Sequence, residues 1–222
     1  LVFLPIYAFV LALAMRFGAP FVPVEHLATY LAPSVVLFGA ILLGTVLGFA
    51  LIEEREQGTW LLLRVVPIGE RALFVYFTSV STGLGALVSA ATAAVYGHPI
   101  VDRTSFALLL LAGSLTAPVI MWTIGVLASN KIEGLGVNKI VSGIFMLPAL
   151  VFVLPMPWQL VLAWLPAYWI YLGLLRSLVP DPATLTAIHW PEYPMWLLVV
   201  APTALSLLAC RLLAREYTRR AS

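Results

Sequence analysis

The chain has 222 residues, 62% of them hydrophobic and 10% charged, with a mean hydropathy of +1.04. Soluble domains carry about 25% charged residues, so the composition excludes a soluble globular protein and leaves a single integral membrane domain, 1–222. The net charge of +2 is too small for nucleic-acid binding, and one cysteine, Cys210, excludes an internal disulfide and a cysteine metal cluster.

The apolar runs are continuous and near helix-spanning length. A membrane β-barrel would instead show alternating segments of about ten residues, so the fold class is all-α. The first run, 1–15, covers about 22 Å against a hydrocarbon core of about 30 Å, so its span is expected to begin upstream of Leu1. A second span is expected over 27–52, followed by the charged stretch "EEREQGTWLLLRVVP". A third covers 72–96, and a short polar turn with His98, Asp102 and Arg103 leads to a fourth over 105–128. After "SNKIEGLGVNK" a fifth is expected over 140–155, and the last over 195–213.

Residues 156–179 are long enough to span, yet Pro166 divides them. If they do not cross, segments 53–71, 129–139 and 211–222 share one side. That side then holds Arg55, Arg64, Arg71, Lys131, Lys139, Arg211, Arg215, Arg219 and Arg220, against Arg16, Arg103 and Arg176 opposite. This bias obeys the positive-inside rule, and a crossing would erase it. The expectation is therefore six spans, both termini cytoplasmic, and two external re-entrant half-helices over 156–179. Five of the seven tryptophans (Trp158, Trp164, Trp169, Trp190 and Trp196) lie in or beside this region, as an interfacial belt requires. Half-helices at membrane depth must be covered by protein or line a cavity. Trp158, Trp164, Pro166 and Trp169 are accordingly expected to form an external lid, the alternative being a belt that only seats the protein.

Catalytic motifs are sparse. Glu53 and Glu54 are similar to the EExxxR pair of intramembrane CAAX-type proteases, but Gly58 stands where the arginine belongs. His26, His98 and His189 fall on the opposite side of the membrane in this topology. There is no GxSG-type serine motif, no HExxH and no metal-ligating cluster. Only two lysines occur, Lys131 and Lys139, and neither follows a glycine, so the chain holds no phosphate-binding GxxxxGK[ST] loop. Any ATP-driven step must use a motor on another chain.

On a helical projection of 53–66, Glu53, Glu56, Gln57, Trp60 and Arg64 form one stripe, with Leu62, Leu63 and Val66 opposite. Arg55 fits that pattern poorly, and Gly58-Thr59 marks a break. Trp60 is either an interfacial anchor or a knob for a soluble partner's pocket. The stretch resembles the E-x-E-x-G-T-x-x-x-L-x-x-x-P signature of ABC-2 type transporter permeases, running here from Glu54 to Pro67. "ASNKIEGLGVNKIVSG" and "LPMPWQLVLAWLPAYW" resemble the branch that exports drugs and antibiotics of the fluoroquinolone type. The chain departs from that pattern in its short first span, which lacks the usual preceding amphipathic helix.

The resemblance implies a half-transporter. Two permease chains, identical or homologous, would pair, and two ATPase subunits would bind ATP and Mg below them, with no cofactor in this chain. The setting would be a bacterial plasma membrane. Glu53, Glu54, Glu56, Gly58, Thr59, Trp60 and Arg64 would couple to the ATPase. Spans two and five would line the path through Phe38, Thr45, Phe49, Ser142, Phe145 and Met146. The absence of ionisable residues deep in the expected spans argues against a proton-driven antiporter and suits a hydrophobic or amphiphilic cargo. Two other function classes stay open: an accessory membrane subunit without a path of its own, and a hydrolase using Glu53 and Glu54. Small-residue stripes (Ala40, Gly44, Gly48 and Ser81, Gly85, Ser89, Ala93) mark close helix approach, as a dimer seam or, the expectation here, internal packing.

Overall fold

A computed structural model describes residues 24–58, 70–96, 100–152, 156–178 and 193–220. Among them the chain is helical throughout, without strands: α1 Val24–Glu56, α2 Glu70–Tyr96, α3 Arg103–Ser114, α4 Thr116–Leu127 and α5 Lys131–Met146. A 3-10 turn, Leu147–Phe152, leads to α6 Met156–Leu162, α7 Pro166–Leu178 and α8 Met195–Arg220. Four stretches are long and apolar enough to cross a membrane: Leu31–Glu56, Ala72–Val95, Arg103–Leu127 and Met195–Arg220. The expected first span, 1–15, lies outside the described residues.

The stretch from Arg103 to Leu127 is one span built as two helices. Asp102 caps its start, accepting from the backbone N–H groups of Thr104 and Ser105 at 3.1 Å each. Hydrogen bonding from Ser105, and then from the Thr104 backbone, holds the Asp102 carboxyl below its ordinary range. The break at Leu115 follows from Pro118, which has no N–H for the Ser114 carbonyl and whose ring crowds it. Gly85 of α2 packs there: a Cβ at that position would stand 3.1 Å from the Ser114 carbonyl oxygen.

Both small-residue stripes prove to be internal packing. A Cβ on Gly44 would lie 2.5 Å from the Ala117 carbonyl oxygen, and one on Gly48 would lie 2.9 Å from Ile124 Cβ, so α1 and α4 touch backbone to backbone. On the opposite flank, Gly39 of α1 meets the backbone of Ser89 in α2, a Cβ there standing 3.0 Å away. Trp122 of α4 is buried under α2 and α8, stacked on Phe74 and edge-on to Phe77 and Tyr217. Its indole N–H donates to Thr78 Oγ1 at 3.3 Å.

Helix α5 begins at Lys131, well before the fifth span expected from Ile140. The reason is a reciprocal cap: the Asn130 side chain accepts from the Glu133 N–H at 2.9 Å, and Glu133 Oε2 accepts from the Ser129 N–H at 2.7 Å. The segment expected to link two spans thus forms the first turns of a helix.

Residues 156–178 do form two short helices, parted by a turn at 163–165 with Pro166 opening the second. α7 is not peripheral. Tyr168, Ile170, Tyr171, Leu172, Leu174 and Leu175 are at most 1% exposed, enclosed by α1, α3 and α8. It runs antiparallel to α3, from the Val101 N–H donating to the Ser177 carbonyl at 3.0 Å, through Gly173 against Leu109, to Ile170 against Gly113. Its 13 residues cover about 20 Å, less than a bilayer core, so its buried start sits level with the Pro118 break. Such a half-length helix is allowed in a membrane because protein covers it.

Candidate functional site

Glu53, Arg55 and Glu56 form the last turn of α1 rather than the start of a separate helix; Gly58, at φ 71, ends it, and the Gly58 N–H donates to the Arg55 carbonyl at 3.1 Å. Thr59, Trp60 and Arg64 lie outside the described residues, so the outer stripe is seen only at Glu53, Glu56 and Gln57, which are all exposed.

Arg55, the residue that broke the amphipathic pattern, turns inward. Its guanidinium donates to the Gly125 carbonyl at 3.2 Å and to the Ala128 carbonyl, and lies 5.9 Å from the centroid of the Tyr217 ring. Arg220 of α8 donates to the Val126 carbonyl at 3.0 Å. Two arginines from different helices therefore satisfy the carbonyls that α4 leaves open at its C-terminus and complement its dipole. The Tyr217 hydroxyl donates to the Leu51 carbonyl at 3.1 Å and closes the triangle of α1, α4 and α8.

The same turn reaches α5. Glu56 Oε1 accepts from the Lys131 backbone N–H at 3.3 Å, and Glu53 Oε2 lies 3.4 Å from Lys131 Nζ, an exposed pair. Glu54 faces the other way, into a cavity of about 170 Å³ lined by Leu47, Leu51, Tyr76, Phe77 and Met121. One of its carboxylate oxygens is buried there without a partner among the described residues. Glu53 and Glu54 thus diverge and share no water or metal position. Among the described residues no three His, Cys, Asp or Glu side chains converge on a metal position.

Of the expected path residues, the structure brings Thr45 and Ser142 together, with Phe49 farther along the same α1–α5 contact. Asn138 joins the two helices, its Oδ1 accepting from Thr45 Oγ1 at 2.7 Å and from Ser142 Oγ at 2.9 Å. The Thr45 hydroxyl also lies 2.9 Å from the Ile41 carbonyl. Phe49 closes over Gly134, where a Cβ would stand 2.8 Å from the ring. Phe145 is buried in the core, Met146 packs on its edge, and Phe38 is half-buried farther along α1. Asn138 escaped the sequence reading, although an Asn and a Ser at i and i+4 in an apolar run mark a buried polar pair.

At the turn before α7, Trp164 is 85% exposed and Pro166 is buried. The Trp169 indole N–H donates to the Ala163 carbonyl at 2.8 Å and its ring lies against Tyr168 and Tyr193. The Trp158 side chain lies outside the described residues.

A family model described as fluoroquinolones export permease protein Rv2686c-like matches residues 1–214. The chain belongs to this family of export permeases. That bears out the resemblance to the fluoroquinolone-type export branch. Over 160 residues the chain is 28% identical to the fluoroquinolones export permease protein Rv2686c of Mycobacterium tuberculosis strain ATCC 25618 / H37Rv. It matches protein MT2760 of strain CDC 1551 / Oshkosh to the same extent. These matches cover 71% of this chain but 62% of each relative, less than two thirds of their length. No solved structure matches. Membership of a permease family and four apolar stretches of spanning length place the protein in a membrane as a multi-pass protein.

Proposed function

We propose that this chain is the permease subunit of an ATP-driven ABC-2 type exporter of amphiphilic, drug-like compounds. In this reading it works by alternating access, paired with a second permease chain, identical or homologous. Two separate ATPase subunits bind ATP and Mg. The chain lies in a bacterial plasma membrane by six spans with both termini cytoplasmic. Family membership supports the drug-export part of this reading.

The observation that carries the coupling part is the two-sided last turn of α1. Glu53, Glu56 and Gln57 face outward, where charge can steer and orient a docking ATPase. Arg55 ties the same turn to the end of α4, and Glu56 ties it to the start of α5. A displacement of that turn would therefore move α1, α4 and α5 as a unit. α1 and α5 are also the helices that meet at Thr45, Asn138 and Ser142, the centre of the proposed path. The turn at 163–165, with Trp164, acts as a lid over the exit together with Pro166 and Trp169 at the start of the buried α7.

The experiment is recovery of the ATPase with detergent-solubilised permease at two salt concentrations. Trp60→Ala removes a central anchor, a change that typically costs about 2 kcal/mol or more. Gln57→Lys adds a positive charge to the exposed rim, leaves the Glu56 contact with α5 in place, and should raise salt sensitivity. Both variants should insert normally and retain less ATPase. Unchanged recovery for both would make the stripe a solvated face and end the coupling assignment.

A further inference from the structure

The outer face of α8 carries one continuous exposed stripe. It begins at Trp196, 65% exposed, runs through Val200, Leu207, Leu208 and Leu212, and ends in Arg211, Arg215 and Arg219. The spacing of three and four residues keeps these side chains on one side of the helix. From Trp196 to Arg215 the helix rises about 28 Å, close to the roughly 30 Å of a bilayer core. An aromatic residue at one end, an apolar middle and arginines at the other end match the depth profile of lipid: interface, acyl chains, headgroups.

The arginines divide by partner. Arg219 and Arg220 are held by Glu216 at 2.8 Å and 2.7 Å, and Arg220 also serves the α4 carbonyl. Arg211 and Arg215 have no acceptor among the described residues. They lie one turn apart beside exposed leucines, so a ligand that pairs with them and covers the face brings negative charge and apolar surface together.

We propose that Arg211 and Arg215 form a headgroup site for an anionic phospholipid, with Leu207, Leu208 and Leu212 against its acyl chain. Arginine pairs bidentately with a phosphodiester, and both stems can bury along the chain below it. A second copy of the protein fits this face poorly. Two chains in the same membrane orientation would meet at equal depth and set Arg211 and Arg215 against their own copies. A soluble partner would have to approach through the acyl region to cover the leucines.

The test uses the full chain, purified in detergent and equilibrated with equal amounts of phosphatidylglycerol and phosphatidylcholine, with retained lipid counted by native mass spectrometry. Each arginine should contribute roughly a five-fold preference for phosphatidylglycerol, the equivalent of about 1 kcal/mol per basic residue near a membrane surface. R211Q/R215Q should therefore lower the retained ratio by roughly twenty-five-fold. R211K/R215K should keep most of it, and R103Q, an exposed arginine at the far end of the fold, should keep all of it. If R211Q/R215Q is not monodisperse, R215Q alone is read against its expected five-fold loss. An unchanged ratio in the R211Q/R215Q or R215Q protein overturns the site. So does an equal loss in R103Q, which would reduce the effect to overall charge. Loss of the second permease or of an ATPase subunit with the lipid ratio intact would assign the face to that protein instead.

Discussion

Replacing Gly44 with alanine places a methyl group 2.5 Å from the Ala117 carbonyl oxygen and 3.0 Å from both Ala117 Cα and Ile120 Cβ. Two of those three atoms are backbone, so no side-chain rotation can relieve the contact. To reach ordinary van der Waals separation, α1 and α4 must part by roughly 1 Å, and the gap would spread to Ala40 and Gly48 along the same seam. Overpacking of this kind costs about 1–3 kcal/mol. The gain from removing a helical glycine offsets about 0.5–1 kcal/mol of it. The net expectation is a destabilisation of about 0–2.5 kcal/mol, near 1 kcal/mol at mid-range. Gly83→Ala supplies the contrast, because nothing lies within 4 Å of a Cβ there and only the helix-propensity gain remains. Reversible unfolding in mixed micelles, followed by far-ultraviolet circular dichroism of the helices, reads both variants. Gly44→Ala should shift the midpoint down and Gly83→Ala should leave it or raise it. Equal behaviour of the two would refute the close α1–α4 seam.

Asn138→Leu removes the acceptor shared by Thr45 and Ser142. Hydrogen bonds between membrane helices average about 0.6 kcal/mol, so a loss near 1 kcal/mol is expected, and a Thr45→Val, Asn138→Leu double-mutant cycle should show coupling rather than additivity. Arg55→Lys keeps the charge but cannot reach Gly125 and Ala128 together. It should cost about 1–2 kcal/mol in the same unfolding assay, and wild-type stability would mean that the carbonyls are satisfied without it. Cysteines placed at Val101 and Arg219 should react with an impermeant thiol reagent from opposite faces, with native Cys210 silent because it is buried. Labelling of both from one face would defeat the topology.

Where composition and punctuation dominate, sequence and structure agree. Continuous apolar runs fixed the all-helical class, and Pro166 parted the two short helices of 156–178. Other features were present but went unused. Pro118 breaks the span from Arg103 to Leu127 through the Ser114 carbonyl, and the Asn130–Glu133 box starts α5 inside a stretch whose lysines read as loop. The charged end was legible in its residues but not in its directions. Helical projection set Glu53 and Glu56 outward, whereas the inward turn of Arg55 depends on carbonyls seventy and more positions away. The depth of α7 was also out of reach, because the buried surfaces that enclose it belong to three helices distant in the chain.

The most direct test of the account is transport itself. Inside-out membrane vesicles holding this permease and its cognate ATPase should be given a fluorescent fluoroquinolone, with and without ATP and with and without a protonophore. The account predicts accumulation that requires both chains and ATP and survives collapse of the proton gradient. Accumulation by the permease alone, or accumulation abolished by the protonophore while ATP is supplied, would contradict it.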